Sequence, residues 1–338
     1  MPVHPSPFAE MGFPGFVQFD VPASQSLFTN RNIFQVRANS CNLNLSQDID
    51  RPLQAKSPGY PFSYPYQDRV VYTIKPEVIE GSISFPVVMS DVLCDQDGIM
   101  DLWNLAIQRT TQERLRPFDI NIKYTASQQA YKFSKCYLNS FKFSVAQGGP
   151  INVNVDVYGS KRDKQLDNIH RKPATNSRIA TWADAVVELE GPWGTVDGKF
   201  VRDFNASVSN GCERFYAAGG TGFKVRDITP KLRDIDGSIK VIGKQLECAT
   251  LADYAKNNPS NCSSRSSLVF GYDILCSSTP QGCQHTNREF RITLPNIVVT
   301  PEEVQLTNEI FETEFKWYCL PSNIPLGIVS DYQTSLSL

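Results

Sequence analysis

Apolar and polar residues alternate along several short stretches of the chain. The clearest are residues 118–124 and 151–158, and a weaker alternation covers Leu138–Val145. A period of two predicts strands with one buried face and one face toward water or a polar neighbour. Gly148-Gly149-Pro150 lies between the last two stretches, so they are predicted to form an antiparallel hairpin.

Weaker patterns predict the remaining elements. Further strands are expected at Phe16–Val21, Val36–Leu45, on both sides of Lys75-Pro76, Leu268–Leu275, Phe290–Val299 and Phe311–Tyr318. In the last of these, Thr313 falls on the apolar side and Glu312 on the polar side. Helical spacing is rare. Asp97 is a candidate N-cap for a helix whose apolar positions are Ile99, Leu102, Trp103, Ala106 and Ile107, and a shorter helix is expected after Thr250.

A short motif occurs twice in the chain. Ile79-Glu80-Gly81-Ser82-Ile83 matches Ile235-Asp236-Gly237-Ser238-Ile239, and the upstream Ile74-Lys75-Pro76 matches Ile228-Thr229-Pro230. Each copy is followed by a predicted helix and closing strands. The shared order of elements predicts an internal duplication.

The predicted fold is mainly β, with two tandem antiparallel β-sandwich or barrel domains and one flanking helix in each. Its parts are an N-terminal arm (1–35), a first β domain (36–160), a linker (161–199), a second β domain (200–320) and a C-terminal tail (321–338). The 22 prolines and 20 phenylalanines favour this class, since proline is poor in helix interiors and phenylalanine suits strands.

The charge balance argues against nucleic-acid binding. The 338 residues include 33 Lys and Arg against 35 Asp and Glu, so no basic excess is available to neutralise phosphates. No apolar run is long enough for a transmembrane helix. The N-terminus lacks a signal-peptide pattern, so synthesis in a cytoplasm is expected.

Nine cysteines are many for such a chain, and no two form a C-x-x-C pair. The first interpretation is that these cysteines are buried as apolar free thiols. A second is zinc binding by Cys262, Cys276, Cys283 and His285, the densest group of cysteines with the histidine beside it. Disulfide formation or crosslinking after assembly is the third, with Cys262, Cys276 and Cys283 as its candidates.

The sequence contains none of the nucleophile-elbow, zincin and P-loop motifs, and its three histidines lie in no convincing site context. We therefore expect that the protein is not an enzyme and that it has no catalytic residue, cofactor or metal. Isolated carboxylates such as Glu77 and Glu80 leave a weak enzymatic alternative.

Aromatic residues and prolines alternate after the first predicted strand of the first domain. Rings this dense are costly to leave in water, so the segment is predicted to be a loop that docks on another subunit. Its contact residues are Pro58, Tyr60, Phe62, Tyr64 and Tyr66. A glycan-binding double β-sandwich, with sugars stacked on Tyr60, Tyr64 and Tyr66, is the alternative of a different class.

The second half carries a wider pattern. Residues 204–216 form a predicted strand ending in a polar turn at Ser209-Asn210-Gly211, and 225–239 contain a proline and the Gly-Ser step. This order resembles the tail tube proteins of bacteriophages and related contractile injection machines. The resemblance covers about residues 36–160 and 200–320.

The resemblance implies a structural virion protein whose rings stack into a conduit for DNA ejection. Six such domains form one ring with an inner barrel, so two per chain imply a homotrimer with pseudo-sixfold symmetry. It also implies partners among the tail proteins (sheath, baseplate, tape measure), with double-stranded DNA passing unbound. The aromatic loop matches the stacking loop of the family in position. A trimeric baseplate hub, tube initiator or distal tail protein is the alternative within this class.

The residues agree with a conduit wall. Asn152, Asn154 and Asp156 share one face of a predicted strand and are the candidate lumen-facing residues. A polar, slightly acidic lining repels phosphates and does not retain DNA.

Overall fold

The computed structural model describes most of the predicted strands. The described stretches are residues 15–22, 32–46, 49–50, 73–74, 77–89, 94–110, 112–124, 130–165, 178–191, 194–196, 198–216, 225–242, 266–274, 288–307 and 310–319.

Strands dominate both halves of the chain. The first half contains helix α1 (Cys94–Ile107) and the strands β1 (Gly15–Val21), β2 (Asn32–Val36), β3 (Ser40–Cys41), β4 (Asn44–Ser46), β5 (Ile49–Asp50), β6 (Thr73–Ile74), β7 (Val78–Pro86), β8 (Val88–Met89), β9 (Phe118–Tyr124), β10 (Ala130–Ala146), β11 (Asn152–Gly159) and β12 (Lys161–Gln165). The second half contains two short 3-10 turns (Trp182–Asp184 and Gly198–Phe200) and the strands β13 (Arg178–Ile179), β14 (Ala185–Gly191), β15 (Gly194–Val196), β16 (Val201–Ser209), β17 (Glu213–Tyr216), β18 (Val225–Thr229), β19 (Asp234–Ile242), β20 (Ser266–Ile274), β21 (Arg288–Thr307) and β22 (Ile310–Cys319).

The predicted fold class is confirmed: the protein is mainly β, its sheets are antiparallel, and they pack as a sandwich. The hairpin around Gly148-Gly149 is confirmed as β10–β11, and β9 has the predicted bounds. Among the described strands no sheet closes into a barrel. The second predicted helix, after Thr250, lies outside the described residues.

Several predicted boundaries are corrected. Helix α1 begins at Cys94, three residues before Asp97, which places Asp95 and Asp97 in the first turn where acidic residues suit the helix dipole. The strand expected over Val36–Leu45 is divided among the end of β2, β3 and β4. Residues 15–21 of the expected arm form β1, which lies between β2 and β9 inside the sheet.

The expected linker also takes part in the sheets. Strand β12 pairs with β10, and strand β14 pairs with β20. The described part of the expected linker therefore adds one strand to the sheet of each half.

The same order of strand pairing occurs in both halves. In the first half it is β3/β4–β7–β11–β10–β9–β1–β2, and in the second it is β16–β19–β22–β21–β20–β14–β15. The long strands β10 and β21 both change partners along their length, from β9 to β11 and from β20 to β22. A two-stranded pair precedes β7 and β19 as well: β5–β6 and β17–β18. The tandem duplication itself stays a prediction, which this order supports.

The two halves are joined edge to edge. The C-terminal part of β10 pairs with β16 from Ser140↔Ser209 to Ala146↔Asp203. One continuous sheet therefore runs from β3 through the joint to β22 and β21, and from the N-terminal part of β21 to β20, β14 and β15. Within the described residues, two of its edges are unpaired at equivalent places in the two halves. Strands β3/β4 pair only with β7, and residues 298–307 of β21 pair only with β22.

Large aromatic side chains fill the space beneath this sheet. Trp103 of α1 packs edge-on against Phe141 of β10 and Phe270 of β20, with ring centroids 5.5 and 5.6 Å apart. Phe270 also packs against Phe204 of β16, at 5.2 Å. Each of these four side chains is at most 2% exposed. Trp103 and Phe141 belong to the first half and Phe270 and Phe204 to the second, so the two halves share one core. Aromatic burial and ring pairing make this core strongly stabilising.

The repeated Gly-Ser motif has a steric cause. A Cβ atom on Gly81 would lie 2.6 Å from Leu43 N and 2.7 Å from Asn42 O. A Cβ atom on Gly237 would collide with Asn205 O and lie 2.7 Å from Cε2 of Trp317. At both positions the neighbouring strand leaves no room for a side chain.

Candidate functional site: the polar face of the joined sheet

The predicted lumen-facing residues lie on a polar face of the joined sheet. Asn152, Asn154 and Asp156 alternate along β11 with the buried Val153 and Val155. Across the strand pair they lie opposite three polar residues of β10: Ser144, Lys142 and Ser140. Asn154 is exposed, and the other two are half-buried.

The polar face continues across the joint into the second half. Directly opposite the polar residues of β10 lie Ser209, Ser207 and Asn205 of β16, and opposite these lie Asp234, Asp236 and Ser238 of β19. The last row of the face is on β22, where Lys316 lies opposite Ser238. A single polar surface therefore spans strands from both halves.

Hydrogen bonds between neighbouring strands order this surface. The Ser140 hydroxyl donates to Asp156, and the Ser207 hydroxyl donates to Asp236. The amide of Asn205 donates to Ser238 Oγ at 2.6 Å. Such cross-strand pairs hold the polar side chains in fixed positions. The surface is therefore hydrophilic, and its polar side chains are held in place by hydrogen bonds.

Acidic residues outnumber basic ones among the charged side chains that the structure describes on this face. The acidic group is Glu80, Asp156, Asp203, Asp234, Asp236, Glu312 and Glu314, and the basic group is Lys142, Arg202, Lys240 and Lys316, with Arg214 of β17 lying over Glu80. Because both signs are interspersed, the face has a weak net negative field rather than a strong patch.

Glu312 departs from its expected exposure. Sequence alternation places it on the polar side, but its side chain is only 5% exposed because Arg202 and Lys240 cover it. Lys240 Nζ lies 2.9 Å from Glu312 Oε2, and Arg202 contacts Oε1. The hydrogen bond from Lys240, with the charge of both cations, holds the pKa of Glu312 below its usual value.

Glu312→Gln should destabilise the protein by about 1–2 kcal/mol at pH 7, because it removes charge-assisted hydrogen bonds. A lowered carboxyl pKa stabilises the fold above the ordinary value of about 4.3, and that contribution disappears as the pH falls through the lower folded-state value. The difference in the free energy of unfolding between wild type and variant should therefore become smaller at acidic pH. Urea unfolding at pH 7 and pH 3 measures it, with Glu314→Gln as the control. A gap that does not change with pH would contradict this role.

The hairpin β17–β18 of the second half reaches over the first half. Arg214 forms an ion pair with Glu80 of β7, and its guanidinium lies 3.9 Å above the ring centre of Tyr158 of β11. Arg114, in the loop after α1, forms a second ion pair with Asp227 of β18 at 3.1 Å. The Arg214 side chain is only 15% exposed, so this contact is well covered.

Asn210 connects the two halves at the turn after β16. It is fully buried, and its Nδ2 donates to Ala106 O at the end of α1 and to Leu138 O of β10, both at 3.0 Å. Next to it, the backbone N–H of Cys212 donates to Asn139 Oδ1 at 2.8 Å. The polar turn that carries the resemblance therefore has a structural task at the joint.

Three of the cysteines that the structure describes are free thiols: Cys41, Cys136 and Cys212. Burial raises the pKa of Cys41 and of Cys212 to about 11, and it raises the pKa of Cys136 and Cys319 as well. Few thiolates are therefore present at neutral pH, which slows oxidation. The predicted crosslinking residues Cys262, Cys276 and Cys283 lie outside the described residues.

The predicted contact loop lies between β5 and β6. Ile49 pairs with Ile74 and Asp50 pairs with Thr73, so the segment between them leaves from a strand pair. Pro58, Tyr60, Phe62, Tyr64 and Tyr66 are outside the described residues.

The described residues do not bring a metal-binding set together: no three His, Cys, Asp or Glu side chains are placed to hold one ion. A cavity of about 350 Å³ lies beside Trp182, and its charged lining residues are Glu188 and Arg291. The rest of its described lining is apolar or glycine.

Comparisons with known proteins add no family. No protein-family model matches the chain, and no curated protein matches its sequence at a significant level. Within the described part of the chain, no helix has both the length and the apolar character needed to cross a membrane.

Proposed function

We propose that this protein is a structural subunit of a bacteriophage tail tube, in which three copies form a ring that conducts DNA. The observation that carries the proposal is the joint between β10 and β16, where two sets of strands with the same pairing order meet edge to edge. In the proposed ring, the joint inside the chain is repeated between chains.

Two unpaired edges of the sheet support this proposal, the edge of β3/β4 and the edge of the C-terminal part of β21. In the strand order, β3/β4 of the first half are equivalent to β16 of the second half. The C-terminal part of β21 is equivalent to the C-terminal part of β10, which pairs with β16 at the joint. Unpaired strand edges are a liability unless they are covered. Pairing β21 of one copy with β3/β4 of the next would cover both edges and close a ring of six equivalent units.

The polar face supports a lumen wall. It runs over both halves without a break and carries serine, asparagine and interspersed charges of both signs, with a small acidic excess. Such a surface repels phosphates weakly and offers no basic groove to retain them. The opposite face of the joined sheet is buried in the aromatic core.

The joint predicts the register between copies. Inside the chain, Val145 lies opposite Phe204. The strand registers of the two halves make Leu306 on β21 the equivalent of Val145 on β10, and Cys41 on β3 the equivalent of Phe204 on β16. Leu306 of one copy should therefore lie opposite Cys41 of the next.

Leu306→Cys should give covalent dimers and trimers under mild oxidation, because paired strands bring opposite Cβ atoms within disulfide range. Non-reducing gels measure the products. Gln305→Cys, the adjacent position on the other face, is the matched control, and adding Cys41→Ala should abolish the crosslink. A crosslink that survives Cys41→Ala would contradict the register.

Negative-stain electron microscopy at high protein concentration tests the assembly itself. Hollow rings with threefold or pseudo-sixfold end views are the expected result. Stacked rings would favour the repeating tube subunit, and single rings would favour a hub or initiator. Monomers without the Leu306→Cys crosslink would overturn the proposal.

A further inference from the structure

The contact of Arg214 with the first half has an unfilled counterpart in the second half. Tyr158 lies directly opposite Glu80 on β11 and β7, and Arg214 covers both. In the second half, Tyr318 of β22 lies directly opposite Asp236 of β19. The two tyrosine–carboxylate pairs occupy the same place in the strand order, each one residue from the glycine of the repeated motif.

The second pair is open. The Tyr318 side chain is 45% exposed, one of the few large apolar side chains at the surface of the described chain. Asp236 accepts a hydrogen bond from Ser207, and no cation among the described residues reaches Asp236 or the Tyr318 ring. The chemistry that covers the first pair, a guanidinium, is missing from the second.

We infer that Tyr318 and Asp236 form a docking site for an arginine side chain from a second copy of this chain, in the manner of Arg214 on Tyr158 and Glu80. The inference rests on the proposed ring, which places the strand pair β5–β6 of the next copy where β17–β18 lies inside the chain. A guanidinium stacks on an aromatic face and pairs with a carboxylate at the same time.

The sequence identifies the arginine. Asn42 and Asn205 are equivalent, because each receives a hydrogen bond at Oδ1 from the N–H of the serine in the Gly-Ser motif, Ser82 and Ser238. The same sequence separation relates Arg51 to Arg214. Arg51 directly follows β5 in the sequence, as Arg214 follows the first residue of β17.

Charge reversal tests the contact. Arg51→Glu and Asp236→Arg should each raise the protein concentration needed for ring formation about tenfold, since each replaces an attraction by a repulsion at the rim of an interface. The double variant should restore assembly toward the wild-type value. Sedimentation velocity over a concentration series measures it, with negative-stain imaging of the products.

Matched controls separate this contact from general charge and folding effects. Arg226→Glu changes the charge of an exposed arginine on β18 and should leave assembly unchanged. Tyr318→Ala removes the stacking surface without a new charge and should weaken assembly, while thermal unfolding reports whether each variant is folded.

The outcomes are distinct. Wild-type rings together with single variants that assemble normally, or a double variant no better than the singles, would overturn this inference alone. A wild type that stays monomeric would overturn the proposed ring and this inference with it.

Discussion

Gly237→Ala is expected to cost about 3 kcal/mol or more of the free energy of unfolding. A Cβ atom at this position would meet Asn205 O and the Trp317 ring, all closer than the 3.0 Å that real Cβ contacts keep. Overpacking usually costs about 1–3 kcal/mol. The upper end applies because backbone lies on one side and a fully buried ring on the other.

Chemical denaturation with tryptophan fluorescence measures the loss, and Gly81→Ala should behave in the same way because Leu43 and Asn42 crowd it. Gly149→Ala is the matched control: its Cβ would lie 3.3 Å from Ala146 O, a tight but adjustable contact. Equal stability for the Gly237 and Gly149 variants would show that the neighbouring strands yield easily, and the motif would then need another explanation.

Asn210→Asp is expected to cost about 3 kcal/mol or more at pH 7, with almost no change in shape. The two amide hydrogens that Ala106 O and Leu138 O receive are lost, and an ionised carboxylate would face both carbonyl oxygens in a fully buried site. Each buried acceptor without a partner costs about 1–3 kcal/mol, and a buried unpaired charge adds to this.

The pH dependence separates these effects. Burial raises the pKa of the new carboxyl above the unfolded value of about 3.9, so the penalty should grow as the pH rises above about 4. Asn210→Ala, which introduces no charge, should show a penalty independent of pH. Urea unfolding at pH 4.5 and pH 8 measures the difference. A pH-independent loss for Asn210→Asp would mean that the carboxyl stays neutral or that water reaches it.

Local patterns predicted the elements whose partners are close in sequence. Strand β9 and the β10–β11 hairpin follow from alternation and a glycine turn, both of which act over a few residues. The buried position of Thr313 followed from the same alternation. The alternation of β11 also placed Asn152, Asn154 and Asp156 on one polar face.

Pairings between distant residues could not be predicted in this way. Strand β1 matches the predicted Phe16–Val21, but nothing local indicates that it pairs with β9, about a hundred residues later. The cover over Glu312 depends on Arg202, which lies far away in the sequence. The joint between β10 and β16 depends on Asn210 and on a shared aromatic core, and neither has a periodic signature.

The joint inside the chain changes how the amount of assembled ring depends on protein concentration. In the proposed ring of three chains, each chain forms one of the six joints as it folds, so three joints do not depend on protein concentration. By mass action, the equilibrium concentration of rings then follows the third power of the free chain concentration, rather than the sixth power that six separate domains would require. The fusion of two units would lower the concentration at which rings first form, and it would allow the internal and external joints to evolve different contacts.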